Sequence, residues 1–427
     1  QVCNGSLIIA ALAIADEEKK SAQEILEKAV ESLEPAMNLY HPDGAWVEGP
    51  TYWELATSYV IFTAEALRTA TGSDCGLASV TGLAEAADFM RYCVGASGKA
   101  FNFADASLLD LNSPALMWLG GRFEKPVHSA LVREHLAQHG AAHKYLWYRV
   151  PQALLWLAPE TDGNAARALP CDRVFRRIEM VSLRSSWEPG AWSIAIKGGD
   201  NRFTHGNLDL GTFVLDALGE RWAIDLGMEN YRLEGYFGNE RFTYYRASTA
   251  GQNTLSWDDQ NQEADGTGDI ETFESSAARS WSVLNLSKGY DGGRQVKRGV
   301  QLTRGARPSI LIQDEIQKPR DGTLIWAMHT LAAVECSDQT ALLSLGDKKL
   351  RATILQPAQA SFSVSEVDLP APAYPTKGVS KLVLRVSAAG RNEVTIAVRF
   401  SDADAANTPA TSKIQPLSQW GGQAVPR

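Results

Sequence analysis

The densest run of residues able to do chemistry lies between Lys197 and Thr254. It opens Lys197-Gly-Gly-Asp-Asn-Arg202-Phe-Thr-His205-Gly-Asn207-Leu-Asp209 and continues past Asp225. Glu229-Asn-Tyr231-Arg232, Tyr236, Arg241-Phe-Thr-Tyr244-Tyr245-Arg246 and Gly251-Gln252-Asn253-Thr254 complete it. Polar loops alternate there with short strands, and loops carried by a rigid sheet are where sites usually sit. A second run is Asp43-Gly-Ala-Trp46-Val-Glu48-Gly-Pro-Thr-Tyr52-Trp53, followed by Tyr59. Paired carboxylates would suit glycoside hydrolysis, with Glu48 set against Asp105 or Asp209, although the sequence does not fix their separation. His139 and His143 have the i,i+4 spacing of a metal pair on a helix, but no acidic third partner lies nearby, so they read as surface. Gly198-Gly199 is an isolated pair, and there is no phosphate-binding glycine loop.

These residues must be held by two kinds of structure. Up to about residue 165 the apolar spacing is helical: Ser6–Ala15, Glu17–Leu39, Thr81–Val94, Ser107–Leu119, Pro126–Gln138 and Lys144–Leu157. Gly49-Pro50 suits a helix start, and that helix runs to about Ala70 and ends near Gly72. Short turns between helices suggest stacked antiparallel pairs. Glu160–Pro170 reads as a linker. From residue 175 to about 400, strands take over: Met180–Arg184, Trp192–Lys197, Thr212–Ala217, Arg221–Asp225, Gln295–Thr303, Ser309–Gln317, Thr323–His329, Leu350–Leu355, Leu382–Val386 and Glu393–Arg399. Their spacing favours an antiparallel β-sandwich. Gly219-Glu220 makes a tight hairpin, and residues 401–427 read as a loose tail.

Composition narrows the function classes. The 427 residues suggest two or three domains. Hydrophobic residues at 44% and charged residues at 21% are those of a globular chain, not a disordered or collagen-like one. A net charge of −9 argues against a general nucleic-acid binder. No stretch reaches 18 uninterrupted apolar residues, so no membrane span is expected. The five scattered cysteines include no CxxC pair, which excludes a disulfide scaffold and a cysteine-rich zinc site. The apolar run Leu7–Ala15 lacks preceding basic residues and is a poor signal peptide. We read the chain as the later part of a longer precursor.

The Lys197–Thr254 run resembles the C-terminal sheet domain of the heparinase II/III-like polysaccharide lyases, over about sixty residues in order. The Asp43–Tyr59 run resembles the same family's helical toroid near its catalytic tyrosine. The resemblance implies an N-terminal incomplete α/α toroid, then an antiparallel β-sandwich domain, with the substrate cleft between them. It implies β-elimination at a uronic acid, in which a base removes the C5 proton and an acid protonates the leaving oxygen at C4. Such chemistry needs the acid and base within hydrogen-bond reach and the carboxylate charge offset. A tyrosine serves as base only if positive charge lowers its pKa of about 10.

The family's pattern places Tyr59 as the acid/base. Tyr52, seven positions earlier on the same helical face, becomes a wall of the cleft. His205 falls on the first histidine of the family's His-x-His-x-Asp pattern. Asn4 falls where relatives carry an Asn or His beside the substrate carboxylate, and helix capping is the alternative for it. Where relatives use a histidine base at that point, this chain has Asn4: either Tyr59 serves as both base and acid, or the activity differs. Relatives hold one zinc through the second histidine of the pattern, an aspartate and a later histidine. Here those positions are Asn207, Asp225 and Gln252, so the site is degenerate and no cofactor is expected. The amides either tie the loops together or, with the aspartate, attract calcium weakly.

Arg202, Arg232, Arg241 and Arg246 could line a local basic groove for a polyanion. Glu48, Trp53 and Tyr236 join the substrate-binding candidates; Trp46 and Tyr231 are further aromatics that either stack on sugars or pack. The resemblance implies an anionic polysaccharide, such as an alginate or a glycosaminoglycan, as partner. It also implies a bacterial periplasmic or secreted location. The rival from another class is a non-catalytic carbohydrate-binding relative that has lost lyase activity.

Overall fold

The computed structural model describes residues 1–107, 113–139, 150–156, 169–404, 414–421 and 423–424. These fall into two compact units. The helical unit takes residues 1–94, the described parts of 109–169, and 175–177. The sheet unit takes residues 95–107, 170–174 and those from 178 on.

The helical unit contains α1 (Val2–Ala13), α2 (Lys19–Met37), α3 (Pro50–Thr71), α4 (Ala86–Cys93), α5 (Pro114–Arg122), α6 (Pro126–His139) and α7 (Val150–Leu155). The expected signals set the ends of α3: Gly49 at φ 85° precedes Pro50, and left-handed Gly72 stops the helix with its N–H on the Arg68 carbonyl. The helix expected from Thr81 starts only at Ala86, because left-handed Gly82 precedes a 3₁₀ turn, Leu83–Glu85. The helix expected from Ser107 starts at Pro114, where the Ser113 hydroxyl accepts from the Ala115 N–H. Much of the helix expected over Lys144–Leu157 lies outside the described residues, as do residues 160–168 of the expected linker and His143. The side chain of His139 also lies outside them.

Gly5 seats α1 on α3. A Cβ there would come within 2.5 Å of Thr63 Oγ1 and 3.8 Å of Tyr59 Cβ. Asp88 of α4 takes the Lys125 ammonium at 2.8 Å and His128 Nε2 at 3.0 Å, which clamps α4 to the start of α6.

In the sheet unit every expected strand forms, with ends moved by a few residues. In chain order the strands are β1 (Arg173–Phe175), β2 (Met180–Arg184), β3 (Ser193–Lys197), β4 (Gly199–Asp200), β5 (Phe213–Ala217), β6 (Glu220–Ala223), β7 (Leu255–Trp257), β8 (Thr267–Ser275), β9 (Arg279–Asn285) and β10 (Gly293–Thr303). There follow β11 (Ser309–Pro319), β12 (Thr323–Thr330), β13 (Ala333–Ser337), β14 (Thr340–Leu345), β15 (Lys348–Gln356), β16 (Phe362–Glu366), β17 (Ser380–Ser387), β18 (Glu393–Asp402) and β19 (Gln423–Ala424). They build three sheets, ordered β1-β2-β3-β5-β6, β13-β14-β15-β18-β11-β10-β9-β8-β19 with β4 also on β8, and β16-β17-β12-β7. The β5–β6 turn has Leu218 and Gly219 both at positive φ, as a two-residue hairpin turn requires.

One apolar cluster draws on all three sheets, for example Leu183, Phe213, Trp326, Val300, Ile312 and Phe400. Within the sheet unit Arg298 and Asp314 form a fully buried two-point ion pair at 2.7 and 2.9 Å. Arg298 Nη1 also donates to the carbonyls of Gly211 and Asn253, so the large sheet grips the loops that carry the candidate site. The expected loose tail is partly structured. Leu417 is buried, its N–H bonds Glu315, and β19 pairs with β8. Among the described residues no helix is long and apolar enough to cross a membrane.

Candidate active site

The segment of residues 95–107 packs with the sheet unit, although the sequence places it among the helices. Polar side chains stitch it down. Ser97 N–H and Oγ donate to Asp216 Oδ2 at 3.0 and 2.9 Å. Arg221, paired with the same aspartate, donates to the Ala100 and Lys99 carbonyls. Asn102 reaches the Asp225 carbonyl at 3.2 Å, and Asn207 the Ala104 carbonyl at 3.3 Å.

That stitching delivers Asp105, 1% exposed, under the loop that carries His205. Asp105 Oδ2 lies 2.8 Å from His205 Nδ1. Its Oδ1 accepts from Tyr236 Oη at 2.7 Å and from Arg241 Nη2 at 2.9 Å. Burial pushes this carboxyl up, but the hydrogen bonds from His205, Arg241 and Tyr236 outweigh it and hold the group below the usual aspartate range. An ionised carboxylate only accepts, so His205 donates from Nδ1, and in the neutral ring the lone pair sits on Nε2. His205 adopts φ 59°, a left-handed conformation that histidine tolerates better than most side chains. Its ring stacks on Tyr231 at 6.0 Å and meets Phe237 edge-on at 6.0 Å. A cavity of about 390 Å³ opens beside it, lined by Arg202, Phe203, His205, Phe237 and Arg241 among others.

The other candidates divide sharply. Arg241 is a buttress: besides Asp105 it donates to the His205 and Gly206 carbonyls and to Asn207 Oδ1, and it lies 4.6 Å over the Tyr236 ring. Arg246 is buried, paired with Glu229 at 3.5 Å, and donates to the Leu226, Tyr374 and Pro375 carbonyls. The expected basic groove is thus corrected for these two, whose charges are spent inside the fold. Arg202 is exposed but chelated by Asp200, and Arg232 is exposed. Tyr236, expected as a sugar platform, is 1% exposed because its hydroxyl turns in to Asp105; the aromatic facing solvent is Phe237, at 66%. Trp53 and Trp46 are also buried, which removes them as stacking surfaces. In the helical unit Tyr59 and Tyr52 are half-buried on α3, and Tyr59 meets Phe62 edge-on. Asn4 is half-buried inside the first turn of α1; the capping position belongs to Gln1, so the capping alternative for Asn4 falls. Glu48 is half-buried and accepts from Trp46 Nε1 at 3.3 Å.

The hydrolase pairing fails on the carboxylates. Asp105 is fully engaged, and Asp209, 2% exposed, is tied to Lys197 Nζ at 2.5 Å.

The three positions matching the family's zinc ligands do not fit zinc. Asn207 offers its oxygen to the Arg241 guanidinium, a cation already in place. Gln252 donates to the Arg246 carbonyl, and its Oε1 has no partner. Asp225 accepts from the Gly227 N–H, its Oδ2 has no partner, and burial pushes the carboxyl up to about 7. Among the described residues no three His, Cys, Asp or Glu side chains gather as a metal site. One carboxylate with two amides, one of them facing a guanidinium, is neither the nitrogen and sulfur set of zinc nor the oxygen-rich shell of calcium.

No curated protein matches the sequence. Heparan sulfate lyase HepC from Pedobacter heparinus, in a mutant form, superposes with a TM-score of 0.67 at 13% identity, covering 92% of this chain and 58% of its own. A structure described as heparinase III superposes at 0.66 with 14% identity over 93% and 60% of the two chains. Another heparinase III gene product gives 0.66 at 17% over 93% and 58%. The chain therefore spans about three-fifths of these solved relatives, and at such identity the likeness is one of fold. The family model described as heparinase II/III-like, C-terminal, matches residues 168–401, over half the chain, and the protein belongs to the heparinase II/III-like family.

Proposed function

We propose that the protein is a polysaccharide lyase that cleaves a uronate-containing anionic polymer by β-elimination. The observation that carries this reading is the His205–Asp105 pair. A buried, ionised aspartate fixes which ring nitrogen of His205 carries the proton and holds the ring in place, which is what a proton-handling group needs. In this reading Tyr59 moves the protons at C5 and at the leaving oxygen, and His205 and Asn4 assist at the uronate. Phe237 offers a face to a sugar ring at the mouth of the cavity. The reaction runs without a metal. Alginate and glycosaminoglycans are the substrate classes to try first, in a bacterial periplasmic or extracellular setting.

The test is incubation with alginates, glycosaminoglycans and plant uronans while following the ultraviolet absorbance of the unsaturated product. A rise on at least one polymer supports the lyase. Polymer binding with no rise on any of them supports the binding relative instead, a reading favoured by the amides at Asn207 and Gln252.

A further inference from the structure

The large sheet carries a second concave surface that the lyase reading does not use. Strands β9, β10, β11 and β18 are neighbours, and their registers align two rungs on one face. One rung is Arg279–Thr303–Ser309–Ser401; the next is Trp281–Gln301–Leu311–Arg399. The residues between these rungs, such as Leu302, Ile310 and Phe400, point the other way into the core. The polar rungs therefore form the outer face of a central stretch of sheet. Trp420, in the chain that follows Ile414, lies along it, and the resulting cavity measures about 540 Å³.

The charge there is opposite to that of the whole protein. Arg279, Arg307 and Arg399 line the cavity against one carboxylate, Asp402, in a chain of net charge −9. Arg399 is half-buried, yet its guanidinium makes no hydrogen bond or ion pair among the described residues. Burial holds its pKa down with no carboxylate to restore it. A desolvated cation in a groove is costly unless an anion completes it. Arg279 stands over the Trp281 ring at 4.7 Å. Gln313, fully buried at the groove, has an Oε1 without a partner.

We propose that this face is a second saccharide site, which holds a stretch of anionic polysaccharide by its carboxylate or sulfate groups on Arg279 and Arg399 and by its hydroxyls on the glutamines between. The two arginines stand three strand spacings apart, about 14 Å. One small anion cannot bridge them, so an oligomer is the fitting occupant. The site keeps a polymer on the protein whether or not the other site turns it over.

The experiment titrates the Tyr59→Phe protein, which cannot consume its ligand, with hexasaccharides of alginate and of chondroitin sulfate, and with neutral maltohexaose. Calorimetry reports stoichiometry and affinity, and tryptophan fluorescence reports the environment of Trp420. The proposal expects two sites for an anionic hexasaccharide, one of which weakens tenfold or more in Arg399→Gln and on raising salt. Gln301→Trp fills the groove without changing charge and should remove the same site, so a folding defect in one variant cannot mimic the result. An unchanged stoichiometry and affinity in both variants overturns the proposal, as does equal binding of maltohexaose. Loss of the second site in these variants, together with no unsaturated product from the wild-type protein on any polymer, upholds this site while sinking the lyase reading.

Discussion

At the scale of single residues, side-chain chemistry decided what packing preference could not. Tyr236 and Phe237 are adjacent, and burial preference alone would turn the phenylalanine in. The structure does the reverse, because only Tyr236 has a hydroxyl for Asp105. His205 stood out by type and setting, whereas Asp105 was named only as a hydrolase carboxylate: it lies 100 positions earlier in a stretch with helical neighbours, and no spacing rule links it to His205. Asp105→Asn keeps the shape and removes the charge. We expect kcat to fall on the order of 10²-fold with KM changed only a few-fold, because the amide no longer fixes which ring nitrogen carries the proton. A variant that keeps more than a tenth of the wild-type kcat, or loses rate only through a raised KM, would remove Asp105 from this role. Tyr59→Phe should lower turnover by about 10²-fold or more while oligosaccharide affinity stays within a few-fold. Retention of a tenth of the rate would exclude Tyr59 as the proton-transfer group.

At the scale of elements, what was legible followed the strength of the local signal. Pro50 with Gly49 and Gly72 marked α3, and the apolar alternation of β10, β11, β12 and β18 marked the sheet core. The strands β8, β13 and β16 escaped notice because charged and small polar residues dominate their exposed face, and a paired neighbour rather than propensity makes them strands. Residues 95–107 were invisible as part of the sheet unit, since their tie is made by distant side chains such as Asp216 and Arg221. The α4–α6 clamp gives a stability test. Burial would raise the Asp88 carboxyl, but the hydrogen bonds from His128 and Lys125 win and hold it at about 2. A folded-state pKa below the unfolded value near 4 stabilises the fold above pH 4, and that contribution is lost as pH falls through 2. Asp88→Asn should therefore cost on the order of 1–2 kcal/mol at pH 7, allowing for partial screening, and less at pH 3. Chemical denaturation at the two pH values checks this; an equal cost at both would show that the charge is not what the clamp uses.

At the scale of the whole molecule, an acidic chain keeps its cations where the fold needs them. Arg241, Arg246 and Arg298 are spent on carbonyls and carboxylates inside the sheet unit. At two of the three positions that the resemblance assigns to zinc, Asn207 and Gln252 are amides that bond to neighbouring backbone carbonyls. Protein purified without chelator should thus contain well under one zinc per chain, and dialysis against EDTA should leave activity and melting temperature unchanged. One zinc per chain, with loss of either on chelation, would overturn that view of Asn207, Asp225 and Gln252. The central claim is the reaction itself, and the mass of the product's new non-reducing end tests it most directly. Elimination leaves an unsaturated uronate, lighter by one water than the end a hydrolase would leave. We predict the lighter end from the wild-type protein and its disappearance in Tyr59→Phe and His205→Ala; a saturated end, or an unsaturated one formed equally well by both variants, would contradict the account.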